Sequence, residues 1–147
     1  MTAALAFTLI IPLIPAGPFD IPLSFTDSHF ETFLDALAQA ESAGNPQALG
    51  DNGQARGLFQ IHQKYWTDGT ALLGVNWPYS YAFDPQRSRA IVKAYLRSYG
   101  RGKSYFDLAR IHNGGPRGQQ KQTTIPYARK VERIFWQLMS QRNITAL

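Results

Sequence analysis

The chain has 147 residues, a length that suits one domain. Hydrophobic residues make up 44% and charged residues 17%, which excludes an intrinsically disordered chain, and the absence of cysteine excludes disulfides and thiolate metal sites. The three histidines, His29, His62 and His112, are widely spaced and form no HExxH pattern, so we predict no metal site and no cofactor.

Charge is distributed unevenly along the chain. Residues 1–85 carry eight acidic and two basic side chains, whereas residues 86–147 carry thirteen basic and two acidic ones, and the net charge is +5. The basic second half indicates either attraction to a polyanion, such as nucleic acid, anionic lipid or an anionic cell wall, or a set of solvated helix faces. No nucleic-acid-binding motif accompanies this charge, so we predict no nucleic-acid partner.

Residues 1–25 form an apolar N-terminal segment. Its run from Ala3 to Ala16 is too short for a relaxed membrane-spanning helix and contains two prolines, so we predict no stable membrane span. The run suits the apolar part of a secretory signal peptide, but the first basic side chain is Arg56, so the usual charged start is missing. We therefore predict a signal peptide or an N-terminal arm, followed by one domain over residues 26–147.

The first helix is predicted to begin within Ser28-His29-Phe30-Glu31, which fits a capping box, and to end at Gly44. Glu41 lies four residues after Leu37 and seven after Leu34, so it extends the apolar stripe of this helix. A buried carboxyl has a raised pKa and can serve as a general acid at neutral pH. The alternative is that Glu41 turns to solvent at a frayed helix end.

A small hairpin and a second helix are predicted next. Asp51-Asn52-Gly53 is a tight-turn signal, and we expect an antiparallel hairpin that ends in residues 58–61. A helix follows over residues 63–73, and residues 74–83 form an aromatic loop. Asp51 itself is explained by turn geometry alone, since aspartate is favoured before Asn-Gly.

Three more helices complete the predicted domain. Asp84-Pro85 begins one that ends at Gly100, and Ser104 caps another that residues 114–116 stop. Thr124 is predicted to cap the last helix, in which Trp136 is expected to lie in the core. The apolar positions of this helix are Tyr127, Val131, Ile134, Phe135 and Leu138. The expected fold class is therefore α+β, a mostly helical domain with one small antiparallel β-hairpin.

Two groups of motifs carry a family resemblance. Residues 41–46 (ESAGNP), followed by residues 57–61 (GLFQI), resemble the lysozyme and lytic transglycosylase superfamily, in which a helix-terminal Glu-Ser precedes a hairpin and a Gly-x-x-Gln motif returns beside the cleft. Residues 65–66 (YW) and 108–118 (LARIHNGGPRG) resemble invertebrate-type, destabilase-like lysozymes. The resemblance extends from about residue 34 to 134, but those lysozymes are typically rich in disulfides, which this chain lacks.

The resemblance implies a glycosidase that cleaves the β-1,4 bond between N-acetylmuramic acid and N-acetylglucosamine in peptidoglycan, with a lysozyme-like fold. The catalytic residues would be Glu41, the general acid, and Asp51, the second carboxylate. The substrate-binding residues would be Gln60, Tyr65, His112 and Asn113. His112 follows apolar residues at a helix end, so a buried structural role is the alternative for it. Aromatic side chains near the cleft segments are candidates for stacking on sugar rings: Tyr65, Trp66, Trp77, Tyr79 and Tyr81.

Two other functions stay open at this point. A lytic transglycosylase would lack the second carboxylate and release 1,6-anhydro products, and a catalytically silent wall- or chitin-binding module would use the same cleft without reaction. The expected partner is the peptidoglycan glycan strand, and we predict a monomer. The expected location is secreted, periplasmic or at the cell wall, with phage-type release from the cytoplasm as the alternative.

Overall fold

Five α-helices and a small antiparallel sheet make up the computed structural model, which describes residues 28–145. The helices are α1 Ser28–Ser42, α2 Gln63–Leu73, α3 Pro85–Tyr99, α4 Tyr105–Gly114 and α5 Ile125–Thr145. The strands are β1 Leu49–Gly50, β2 Ala55–Arg56 and β3 Ile61–His62. The predicted α+β class is confirmed, and the predicted segment 1–25 lies outside the described residues.

Side-chain caps explain where two of the helices, α3 and α4, begin. The Asp84 side chain accepts a hydrogen bond from the backbone N–H of Arg87 at 2.8 Å, and Ser104 accepts one from Asp107 at 3.2 Å, so both predicted N-caps are confirmed. The prediction for Thr124 is wrong. Its hydroxyl donates to the carbonyl oxygens of Gly118 and Lys121, because it closes the loop before α5 instead of accepting from the helix.

The sheet differs from the predicted hairpin. It has three strands in the order β1-β2-β3, joined by two tight turns. Residues 51–53 form the first turn as predicted, but the expected strand over residues 58–61 is mostly the second turn. The reason is local, because Gly57 and Gln60 have φ values of +72° and +47°, which a strand cannot contain.

The core forms around α1, which packs against α5. Phe33 of α1 stacks on Tyr105 of α4 with ring centroids 4.8 Å apart, and Phe135 of α5 closes the same cluster. Because this face of α1 is buried, the helix cannot rotate about its axis, and the position of Glu41 in its last turn is set. Trp136, predicted to lie in the core, is 40% exposed, because Phe135 takes the inward position beside it.

Within residues 28–145, none of the helices combines the length and the hydrophobicity that crossing a membrane requires.

Candidate active site

An open cleft of 470 Å³ lies where the end of α1, strand β3, the start of α2 and the end of α4 meet. This volume is in the usual range of ligand sites. Five of the six predicted site residues line it: Glu41, Gln60, Tyr65, His112 and Asn113. The sixth, Asp51, does not. The fold therefore brings together residues that are up to 72 positions apart in the chain.

Glu41 is held at the cleft by residues from two other helices. Its side chain is 18% exposed, and the Tyr127 hydroxyl donates a hydrogen bond of 2.7 Å to its Oε1 atom. Nε2 of His112 lies 3.4 Å from the same oxygen. Lys130 of α5 is close as well, since its Nζ donates to the Ala40 carbonyl at 2.6 Å. The carboxylate is thus partly buried and oriented, and it does not turn to bulk solvent.

The predicted rise of the Glu41 pKa is wrong in its net direction. Burial is the largest single influence and raises the pKa, as expected. The hydrogen bond and charge of His112, the hydrogen bond from Tyr127 and the charge of Lys130 together outweigh burial, so the pKa of Glu41 lies below its ordinary value of 4.5. The sequence showed no basic residue within the same two helical turns, and the partners come from α4 and α5 instead.

Tyr127→Phe should raise the pKa of Glu41. The variant removes a hydrogen bond that stabilises the ionised carboxylate and keeps the ring that buries it. Carboxyl carbon chemical shifts followed by NMR over a pH series measure the change. Tyr81→Phe is the matched control, because Tyr81 does not line the cleft. An unchanged or lower Glu41 pKa in Tyr127→Phe would contradict this account of the site.

His112 lines the cleft although most of its surface is buried in the protein interior. It is 8% exposed, and the Tyr65 hydroxyl lies 3.1 Å from its Nδ1 atom. Burial raises the pKa of Tyr65 well above its ordinary value, so the phenol keeps its proton. In the neutral imidazole, Nδ1 accepts from the Tyr65 hydroxyl, so the ring hydrogen lies on Nε2 and faces Glu41. His112 therefore combines a buried, packed position with direct access to the carboxylate.

Tyr65 is itself fixed by stacking. Its ring lies on the ring of Tyr95 with centroids 3.7 Å apart, and both rings line the cleft. Of the five aromatic residues that the sequence singled out, only Tyr65 lines the cleft. Trp66 is a core residue, 2% exposed, whose indole N–H donates to the Trp77 carbonyl at 2.9 Å.

Gln60 braces the loop beside the cleft. Its amide nitrogen donates to the Ala48 carbonyl at 3.2 Å and to the Gly57 carbonyl at 2.9 Å. Ser42 connects the end of α1 to the same loop, since its hydroxyl donates to the Leu58 carbonyl at 2.8 Å. These bonds give the Glu-Ser and Gly-x-x-Gln motifs a structural meaning: they hold the sheet against the helix that carries Glu41.

Asp51 occupies the turn between β1 and β2, on the exposed side of the sheet. Its Oδ2 atom lies 2.8 Å from Nε2 of His62, with the Asp51 side chain 68% exposed. His62 lines the cleft and Asp51 does not. The contact between Asp51 and the cleft is therefore indirect, through the His62 ring. Asn113, at the end of α4, is exposed and lines the cleft, where its amide can contact a ligand.

The sequence did not identify Tyr127 and Lys130 as parts of the site. The periodicity of the last helix places Tyr127 on its apolar face, and it gives no signal that the Tyr127 hydroxyl binds Glu41, 86 residues earlier.

No group of three histidine, aspartate or glutamate side chains in the part of the chain that the structure describes could hold a metal ion.

Comparison with known proteins gives consistent matches. The family model named Destabilase matches residues 31–134. A lysozyme of Ostrea edulis is 32% identical over 69% of this chain and 78% of its own length, and a lysozyme of Magallana gigas is 39% identical over 51% and 56%. Lysozyme 1 of Crassostrea virginica is 38% identical over 55% of this chain and 45% of its own length.

A solved structure agrees with these matches. A chain in the crystal structure of Aeromonas hydrophila PliI in complex with Meretrix lusoria lysozyme has a TM-score of 0.61 and 30% identity, covering 71% of this chain and 88% of that chain. The family model alone spans well over half of the sequence, including most of α1 and the residues that line the cleft. The chain therefore belongs to the Destabilase family and is a glycosidase of the lysozyme type.

Proposed function

We propose that the protein hydrolyses the β-1,4 bond between N-acetylmuramic acid and N-acetylglucosamine in peptidoglycan, with Glu41 as the general acid. The observation that carries the proposal is the carboxyl group of Glu41, which the Tyr127 hydroxyl orients in the wall of a 470 Å³ cleft. A glycosidase needs such an acid beside the bond that it breaks. The relatives named lysozyme support the same substrate class.

In the proposed reaction, the Glu41 carboxyl donates its proton to the glycosidic oxygen as the bond from that oxygen to the anomeric carbon breaks. Positive charge then develops at the anomeric carbon. Asp51 stabilises this charge or attacks it, and water finally adds to the carbon while its proton returns to the Glu41 carboxylate. For this role Asp51 must exchange its hydrogen bond to His62 for a position facing the sugar.

The lowered pKa of Glu41 sets the expected pH range of the reaction. The acid must be protonated before transfer, so kcat/KM should be higher on the acidic side of neutrality. A bound sugar raises the pKa of Glu41, whereas the hydrogen-bond donors lower it, because the sugar excludes water from the cleft. Burial already raises the Glu41 pKa more than any other influence, and a covered cleft increases it further.

Substrate binding is proposed at four residues that line the cleft. Asn113 supplies an exposed amide for sugar hydroxyl or acetamido groups, Tyr65 offers a ring edge, and His112 and Gln60 hold the surrounding walls. We propose that the domain over residues 26–147 acts as a monomer on glycan strands outside the cytoplasm. The relatives give no support to phage-type release.

A lytic transglycosylase is the second candidate, and the position of Asp51 favours it. Asp51 is paired to His62 and does not line the cleft, so the substrate's own acetamido group would stabilise the positive charge. The product would then be an intramolecular 1,6-anhydro sugar. Both reactions use the same acid, and the fate of the anomeric carbon distinguishes them.

Mass spectrometry of digested peptidoglycan tests the proposal. Hydrolysis adds one water per bond and leaves muramic acid at the reducing end, and we expect this product. A product lacking that water would assign the protein to the transglycosylases, and binding without any cleavage would assign it to the silent modules. Asp51→Asn serves as the comparison variant: hydrolysis that depends on Asp51 should slow by about a hundredfold or more with unchanged products.

A further inference from the structure

A second cavity, of 400 Å³, adjoins the cleft at the start of α2. Its walls include Arg56, His62, Lys64 and Tyr79, which we call the basic subsite. His62 and Lys64 also line the cleft, so the two cavities share a wall. A ligand that fills the cleft can therefore extend a substituent into the basic subsite.

The charges of the basic subsite are unusual for this part of the chain. Residues 1–85 are acidic overall, and Arg56 and Lys64 are the only basic residues among them. Both line this one cavity, and none of its lining residues is acidic. Asp51, next to it, is paired with His62. The positive charge is thus concentrated beside the cleft, on the half of the sequence where charge is otherwise negative.

Arg56 is held in place without an anionic partner. Its guanidinium carbon lies 4.1 Å from the centroid of the Tyr79 ring, and the Tyr79 hydroxyl donates to the carbonyls of Gln54 and Ile61 at 2.7 Å. Within residues 28–145 no carboxylate pairs with Arg56, and its buried Nε atom has no hydrogen-bond partner. The buried Nε cannot reach a ligand, but the terminal nitrogens of this fixed guanidinium are not paired with a carboxylate of these residues, and their planar fork matches the geometry of one.

We propose that the basic subsite binds a carboxylate carried by the muramyl residue of the substrate. This inference rests on the proposed function, because it assumes that a glycan strand occupies the cleft. N-acetylglucosamine is uncharged, whereas muramic acid carries a lactyl group whose carboxylate is free in bare glycan and is replaced by peptide carboxylates where a stem is attached. The basic subsite would therefore make the protein prefer muramyl glycans to chitin.

Equilibrium binding to the Glu41→Gln protein tests the proposal without turnover. Three probes are titrated by calorimetry: an N-acetylglucosamine tetramer, an alternating muramyl tetrasaccharide with free lactyl carboxylates, and the same tetrasaccharide with peptide stems. Arg56→Gln should weaken binding of a carboxylate-bearing probe by about tenfold, and Lys64→Gln by about threefold, because a charge-assisted hydrogen bond is lost. The neutral tetramer should bind within about twofold in every variant.

Two controls separate this effect from net charge and from misfolding. The double variant Arg101→Gln with Lys103→Gln removes more charge than either test variant from exposed residues that do not line the cavities, and it should leave all three affinities unchanged. Lys64 is exposed, so its variant keeps the fold even if Arg56→Gln lowers the melting temperature.

The outcomes are distinct. If the bare muramyl probe alone depends on Arg56, the lactyl carboxylate is the ligand; if the peptide-bearing probe alone does, a stem carboxylate is. Equal weakening for the neutral tetramer, or no preference of the Glu41→Gln protein for either charged probe, would overturn the basic subsite. The proposed function can fail separately. If the charged probes bind through Arg56 but the parent protein, with Glu41 intact, does not cleave peptidoglycan, this inference stands and the proposed function is refuted.

Discussion

Glu41→Gln is expected to lower kcat/KM on peptidoglycan by about a thousandfold while the protein stays folded. The amide has nearly the same shape as the carboxyl and can still accept the hydrogen bond from Tyr127, so the packing at the end of α1 is kept. It cannot donate a proton of comparable acidity to the glycosidic oxygen. The loss should therefore appear in kcat, with substrate affinity nearly unchanged.

The matched control for this variant is Glu132→Gln on α5. Glu132 forms an ion pair with Arg129 on the surface and does not line the cleft, so its amide variant should clear cell-wall suspensions at the parent rate. Turbidity measurements and melting temperatures of both variants complete the test. Clearing by Glu41→Gln at more than about a tenth of the parent rate would rule out Glu41 as the general acid.

The position of Glu41 could be predicted from the sequence, but its ionisation could not. The spacing of Leu34, Leu37 and Glu41 is local information, and it correctly predicts a carboxyl on the buried stripe of α1. The partners that lower its pKa, Tyr127 and His112, lie on other helices and follow Glu41 in the sequence by 70 residues or more. Helical periodicity describes which face packs, and contains no information about which distant polar group meets that face.

The sheet shows the same limit in another form. The Asp-Asn-Gly signal predicts the first turn, because those residue types tolerate its backbone conformation. The second turn includes Gln60, which has a left-handed conformation that is uncommon outside glycine and asparagine. Bonds from its own amide to Ala48 and Gly57 compensate for this strain. Residues 58–61 therefore have a strand-like composition without being a strand.

Gly57→Ala is expected to lower the free energy of unfolding by about 3 kcal/mol and the melting temperature by roughly 10 °C. Gly57 has a φ of +72°, and a Cβ atom there would lie 2.0 Å from the carbonyl oxygen of Ala82. That oxygen belongs to buried backbone, so the two segments must separate to admit the methyl group. The cost therefore combines backbone strain with a steric clash.

Gly74→Ala isolates the first of these two contributions. Gly74 ends α2 with a φ of +68°, and nothing lies within 4 Å of its Cβ position, so only the strain of the left-handed conformation is added, about 1 kcal/mol. Chemical denaturation of both variants gives the difference. Equal destabilisation of the two would show that the Ala82 contact is unimportant.

If the contact matters, Gly57→Ala should also reduce cell-wall clearing at temperatures where the variant is still folded. The Gly57 carbonyl accepts a hydrogen bond from Gln60, and the carbonyl of the next residue, Leu58, accepts one from Ser42, the neighbour of Glu41. The glycine of the Gly-x-x-Gln motif would then act on catalysis through the position of the helix end that carries the acid.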